Sequence, residues 1–106
     1  MSYELRVTTP RGLDLGPLLA AGAEEAGHEL VWARETLVAQ FLPGDNRVDV
    51  GVVGHEAPPE RRADEFREVL ELVLTVAARA GGSVHDPQLG RDLGPADIAA
   101  AVDGFA

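Results

Sequence analysis

The stretch from Leu37 to Val53 constrains this chain more than any other. Leu37, Ala39 and Phe41 alternate with Val38, Gln40 and Leu42; after a break, Val48, Val50 and Val52 alternate with Arg47, Asp49 and Gly51. A period of two is the mark of a strand with one buried face. Between the runs stands Pro43-Gly44-Asp45-Asn46, four residues that favour turns. Folded about those four, Leu42 pairs with Arg47, and Phe41, Ala39 and Leu37 come opposite Val48, Val50 and Val52. The reverse surface sets Gln40 against Asp49 and Val38 against Gly51. One face is then apolar throughout and the other largely polar, an agreement that a one-residue slip destroys. The spacing predicts a hairpin whose apolar side must be covered.

The rest of the chain can supply that cover. Tyr3 to Thr9 alternates like a half-buried strand and is broken by Pro10-Arg11-Gly12. From Asp14 the signals turn helical. Pro17 suits a first helical position, Leu15, Leu18, Leu19, Gly22, Ala23 and Ala26 lie along one stripe, and Gly27 is a natural stop. His28 to Phe41 is rich in strand formers, as one bent strand or as two divided near Arg34-Glu35. The longest helix is expected over Pro59 to Ala80, where Ala63, Phe66, Leu70, Val73, Ala77 and Ala80 alternate spacings of three and four before Gly81-Gly82. Ser83 to His85 reads as a short last strand halted by Asp86-Pro87. Gly94-Pro95-Ala96-Asp97 then opens a short helix docked by Ile98, Val102 and Phe105. With no repeat and no linker, residues 1–106 are expected to form one α+β domain, a ferredoxin-like βαββαβ sandwich with an appended C-terminal helix.

Composition matters once function is asked about. Nine arginines and no lysine stand against eighteen acids, a net charge of −9 that repels phosphate backbones, so nucleic acid is a poor partner. Cysteine is absent, which removes disulfides, thiolate metal sites and a cysteine nucleophile together. The chain opens straight into a strand pattern with no leader, and no stretch approaches the ~20 apolar residues of a membrane span. A cytoplasmic protein with no membrane association is expected. The arginine-, alanine- and glycine-rich usage suits a GC-rich bacterial genome.

No catalytic, cofactor or metal site emerges. His28, His55 and His85 each adjoin an acid (Glu29, Glu56 and Asp86), but none has the i, i+4 spacing of a helical ligand pair. Ser83 and His85 lack a third orienting acid and a strand-turn-helix elbow. Gly12, Gly16, Gly51 and Gly54 form no phosphate loop; the last two read as strand-end or bulge positions. Glu60, Asp64, Glu65, Glu68 and Glu71 are interleaved with Arg61, Arg62 and Arg67, the pattern of an exposed salt-bridge face. Trp32 beside Arg34 is the candidate anchor for a partner, because both residue types concentrate at binding hot spots; core burial is the competing fate of the ring.

The run from Ala77 through Gly82 to Asp86-Pro87-Gln88-Leu89-Gly90-Arg91, with the Met1-Ser2-Tyr3-Glu4-Leu5 start, resembles small uncharacterised bacterial proteins, several of them immunity-protein-like, over about a third of the chain. The resemblance implies a non-enzymatic acidic binder of a partner protein. On the residues alone, Pro87 ends a strand while Asp86 and Gln88 cap nearby backbone amides. The sharper alternative places His85, Asp86, Gln88 and Arg91 on a strand-end loop that touches the partner or ligand. Three functions are therefore carried forward: an interaction module for a basic protein, a regulatory domain binding a small ligand, and a dimeric α+β-barrel enzyme using one of the histidines. A homodimer is compatible with each.

Overall fold

The computed structural model describes residues 2–55 and 58–105. Met1, Glu56, Ala57 and Ala106 lie outside them, and with them the His55–Glu56 neighbour pair, the first residue of the chain's start and the first residue of the turn before the long helix. In chain order the elements are β1 (Ser2–Thr8), α1 (Gly16–Ala20), β2 (Glu24–Ala26), β3 (Glu29–Ala33), β4 (Leu37–Gly44), β5 (Arg47–Gly54), α2 (Pro59–Arg79), β6 (Ser83–Asp86), β7 (Arg91–Asp92) and α3 (Ile98–Phe105), the last entered through a 3-10 turn at Pro95–Asp97. The seven strands form one sheet in the order β2-β3-β4-β5-β1-β6-β7, and every pairing is antiparallel.

The class is α+β, but the sheet is larger than a βαββαβ path contains. The additions are β2 and β3, a hairpin between α1 and β4, and β7 at the far edge. The stretch from His28 to Phe41 is two strands, β3 and β4, turning at Arg34–Thr36, where the Arg34 amide donates to the Leu37 carbonyl at 2.8 Å.

The β4–β5 hairpin forms with the expected faces and a different register. Gly44 pairs with Arg47, Phe41 with Val50, Ala39 with Val52 and Leu37 with Gly54. Only Asp45 and Asn46 make the turn, because Asn46 takes a left-handed φ of 55° that asparagine tolerates. Pro43 thus belongs to β4, opposite Val48, beyond the point where β3 stops pairing at Phe41. The shift is two residues rather than one, so each side chain keeps its face.

The first helix is much shorter than its apolar stripe suggests. It ends at Ala20, Gly22 turns the chain with a φ of 102°, and Glu24–Ala26 joins the sheet as an edge strand. Small residues offer little apolar area to hold further helical turns, and Gly22 is free to adopt a backbone that side chains resist. In contrast, α2 follows its stripe closely. It buries Phe66, Val69, Leu70, Val73, Val76 and Ala77 against the sheet, each large side chain worth roughly 1.5–3 kcal/mol relative to exposure. Gly81 then takes a φ of 66°, and Gly82 passes so close to β1 that an added Cβ would run into the Thr8 carbonyl oxygen.

All helices lie on one side of the sheet. Beneath them Tyr3, Leu5, Val7, Leu30, Trp32, Phe41, Val48, Val50, Val52 and Val84 form the core with α2 and the α3 residues Ala101, Val102 and Phe105. Among the described residues no helix is long and apolar enough to cross a membrane.

Candidate functional site

Strand parity decides what Asp86 does. Val84 and Asp86 share the core-facing side of β6, so the last residue of this strand sends a carboxylate inward, where it is fully buried. It accepts hydrogen bonds from the Tyr3 hydroxyl, the Gln88 amide at 2.9 Å, the Gln88 side-chain Nε2 at 2.8 Å and the Leu89 amide at 3.1 Å. A buried carboxylate requires that many donors. The Tyr3 ring stacks edge-on against Phe66 at 5.0 Å, and Phe66 lies flat on Phe105 at 4.3 Å, so the phenol is held by the core at one end and by Asp86 at the other. Burial, reinforced by the neighbouring carboxylate, pushes the Tyr3 hydroxyl well above its ordinary pKa.

Pro87 then stops β6, and Gln88 continues its work with a side chain. Gln88 Oε1 accepts from the Glu4 amide at 2.7 Å, while Nε2 donates to the Glu4 carbonyl at 2.6 Å. Both backbone groups of Glu4 are satisfied by one side-chain amide where a paired strand would have met them. The Asp86-Pro87-Gln88 segment is therefore a strand ending stapled to β1, the backbone-capping role its residue types suggest. Arg91 bonds Asp97 at 2.9 Å on the turn into α3. The Gly94 amide, opposed by some desolvation and aided by Arg91, holds the Asp97 carboxyl below its ordinary range. Of the strand-end candidates His85, Gln88 and Arg91 are exposed, whereas Asp86 is closed off from any partner.

Trp32 and Arg34 are brought together, but not as an exposed anchor. The Trp32 ring is fully buried, with the Arg34 guanidinium 3.9 Å from its centre. Trp32 Nε1 and Arg34 Nη2 both donate to the Ala21 carbonyl, at 3.0 and 3.1 Å. That carbonyl lies at the end of α1, where helical partners have run out. The pair closes the short helix, and only Arg34 remains partly accessible.

The long-helix acids divide into two kinds. Glu65 Oε1 accepts from the Thr36 amide at 2.7 Å and the Thr36 hydroxyl at 2.6 Å, pinning the β3–β4 turn to α2. Desolvation works against its charge, but the Thr36 donors, the Glu35 amide and Arg61 outweigh it, and the carboxyl sits below its ordinary value. Glu60, Asp64, Glu68 and Glu71 are exposed and, like Arg67, make no ion pair among the described residues; Arg61 bridges to Glu35 on the neighbouring turn. The interleaved charges do not form a salt-bridge face. Glu25 faces the same side of the molecule, since its partner Leu30 points into the core.

The histidines occupy separate places: His28 in the β2–β3 turn, His55 after β5 and His85 on β6, where its Nδ1 is 3.4 Å from Asp92. Among the described residues no group of three histidines and acids could hold a metal ion. Gly51 is mid-strand, neither a bulge nor a strand end, and faces an open depression of about 510 Å³ on the helix-free side. Gly54 packs under Phe105 and the stem of Arg62. The β6 ending and the Trp32–Arg34 pair could be read only after strand parity and the end of α1 were known. No family model, no curated protein and no solved structure matches this chain.

Proposed function

We propose that this chain is a non-enzymatic interaction module that engages a basic partner protein through its helix-bearing flank. The carrying observation is the stripe Glu60, Asp64, Glu68 and Glu71 on α2, exposed and unpaired among the described residues. Like charges at three- and four-residue spacing cost a helix a few tenths of a kcal/mol each; Arg67 on the same face offsets part of that, and a cationic surface laid along the stripe relieves the rest. In a chain of net charge −9 the same field speeds association with a basic protein. The immunity-like resemblance is one form of this reading, and a cytoplasmic partner fits it. We read the central strands β4-β5-β1-β6, with α1 and α2, as a ferredoxin-like core enlarged by β2, β3 and β7.

The test is titration with deca-arginine. Binding is expected at low ionic strength and to weaken at least about tenfold at 0.3 M salt, where screening is short-ranged. A Glu68→Lys/Glu71→Lys variant is expected to lose most of it, while Asp45→Lys/Asp92→Lys, with the same change in net charge but away from the helices, loses little. Equal losses in the two variants would reduce the effect to net charge and remove the flank as a site.

A further inference from the structure

The surface opposite the helices is uncovered, and the register arranges it in rows across the strands. One row runs Leu42, Asp49, Arg6 and His85; the next runs Gln40, Gly51 and Glu4; the next Val38, Val53 and Ser2. Two features set this face apart. Its central charges cancel, Arg6 and Arg47 against Glu4 and Asp49, in a chain that is otherwise strongly acidic. It also carries both a recess and projections. Gly51 leaves the depression open, Leu42 projects at its rim, 48% exposed, and Val53 projects further along β5, 47% exposed.

We propose that this face is closed by a second copy of the chain, across a two-fold axis that lies in the interface plane and runs between β1 and β5. That axis brings each row of β5 over the same row of β1 in the other copy. Asp49 meets Arg6 twice, once from each side, Glu4 enters the recess over Gly51, and one strand further out Leu42 covers His85. Isologous contacts repeat every pairing, so the choice of axis matters. An axis along β5 would set Asp49 on Asp49, and one along β1 would set Arg6 on Arg6; of these three axes parallel to the strands, the position between them is the one that pairs unlike charges. Sheets stacked face to face cross at about 30°, which keeps the central rows together and lets the outer ones diverge.

Size and charge allow the contact. The molecule is a slab of 38 × 29 × 18 Å whose broad side exceeds the roughly 800 Å² per partner of a standard interface. Stacked this way, the two acidic helix flanks face outward on opposite sides, separated by well over the ~8 Å screening length of physiological salt. The inference uses the opposite surface from the basic-partner proposal and stands or falls without it.

Light scattering tests it. At about 0.1 mM, well above a micromolar Kd, the wild-type chain is expected to show twice its 11.2 kDa mass. A Cβ at Gly51 meets nothing within 4 Å, so Gly51→Trp is expected to keep the wild-type circular dichroism and to be monomeric. Arg6→Asp alone is expected to be monomeric, and Arg6→Asp/Asp49→Arg to recover the doubled mass by exchanging the charges. A wild-type mass of 11.2 kDa at every concentration would overturn the proposal and leave the face to a different protein or a small ligand. A doubled mass that survives Gly51→Trp, or a folded double variant that stays monomeric, would also overturn it.

Discussion

Two carboxylates in this fold do the same job in different surroundings. Asp86 ties the end of β6 to β1, and Glu65 ties the β3–β4 turn to α2; each accepts more than one hydrogen bond from a segment that would otherwise be loose. Asp86 is fully buried and takes donors from three residues, one of them Tyr3 from the opposite end of the chain. Glu65 is only half-buried and takes both side-chain-directed donors from Thr36. The difference lies in what happens when the acceptor is removed. Thr36 is itself buried, so removing either acceptor strands donors away from water; Asp86 leaves donors on three residues, Glu65 only the amide and hydroxyl of one.

Removing the buried acceptor should therefore have the largest effect. Asp86→Ala leaves the Tyr3 hydroxyl and the Leu89 amide without their acceptor, and is expected to cost about 3 kcal/mol, a fall in melting temperature of roughly 10–20 °C. Chemical denaturation checks this, and a loss below about 1 kcal/mol would mean that water replaces the carboxylate after all. Tyr3→Phe keeps the ring packing on Phe66 and Phe105 and removes one donor, so it should cost less, roughly 1.5–2 kcal/mol. It also changes the alkaline limb of stability. Burial and Asp86 raise the Tyr3 pKa above its ordinary 10.0, so the unfolded chain releases that proton first. The contribution is complete below pH 10 and fades as pH rises beyond it. Urea midpoints measured from pH 8 to 11 should fall more steeply for wild type than for Tyr3→Phe.

The same contrast explains what could be read from the sequence. Alternation in β4 and β5 reveals which side chains are buried, and it survives the two-residue change of register because parity is preserved. The register itself depends on how Asn46 turns the chain, which alternation does not encode. The α2 stripe is long enough to outweigh local noise. The small-residue stripe after Leu15 is not, and Glu24–Ala26, poor in strand formers, becomes a strand only because β3 pairs with it. Asp86 was within reach: its parity with Val84 points it inward as soon as β6 is extended by one residue past His85. Its partner Tyr3, and the docking of Gln88 on Glu4, join positions more than eighty residues apart, and no local pattern announces them.

The smallest effect tests whether Glu65 belongs with Asp86 at all. Glu65→Gln retains an acceptor oxygen but gives up the charge that strengthens both Thr36 bonds, and is expected to cost about 0.5–1 kcal/mol at neutral pH. Its pH dependence has the opposite sense to that of Tyr3. The folded chain holds the Glu65 carboxyl below its ordinary 4.5, so the unfolded state takes up the proton first as pH falls. The contribution is present above pH 4.5 and is lost below it as the folded carboxyl also becomes protonated. Wild type and Glu65→Gln should therefore differ at pH 7 and converge in acid. Thr36→Val, combined with Glu65→Gln in a double-mutant cycle, isolates the pair, and its coupling should disappear over the same acid range. A coupling that is as large at pH 3 as at pH 7 would show that the Thr36 contact does not depend on the charge, and the surface-side carboxylate would then act only as a neutral acceptor.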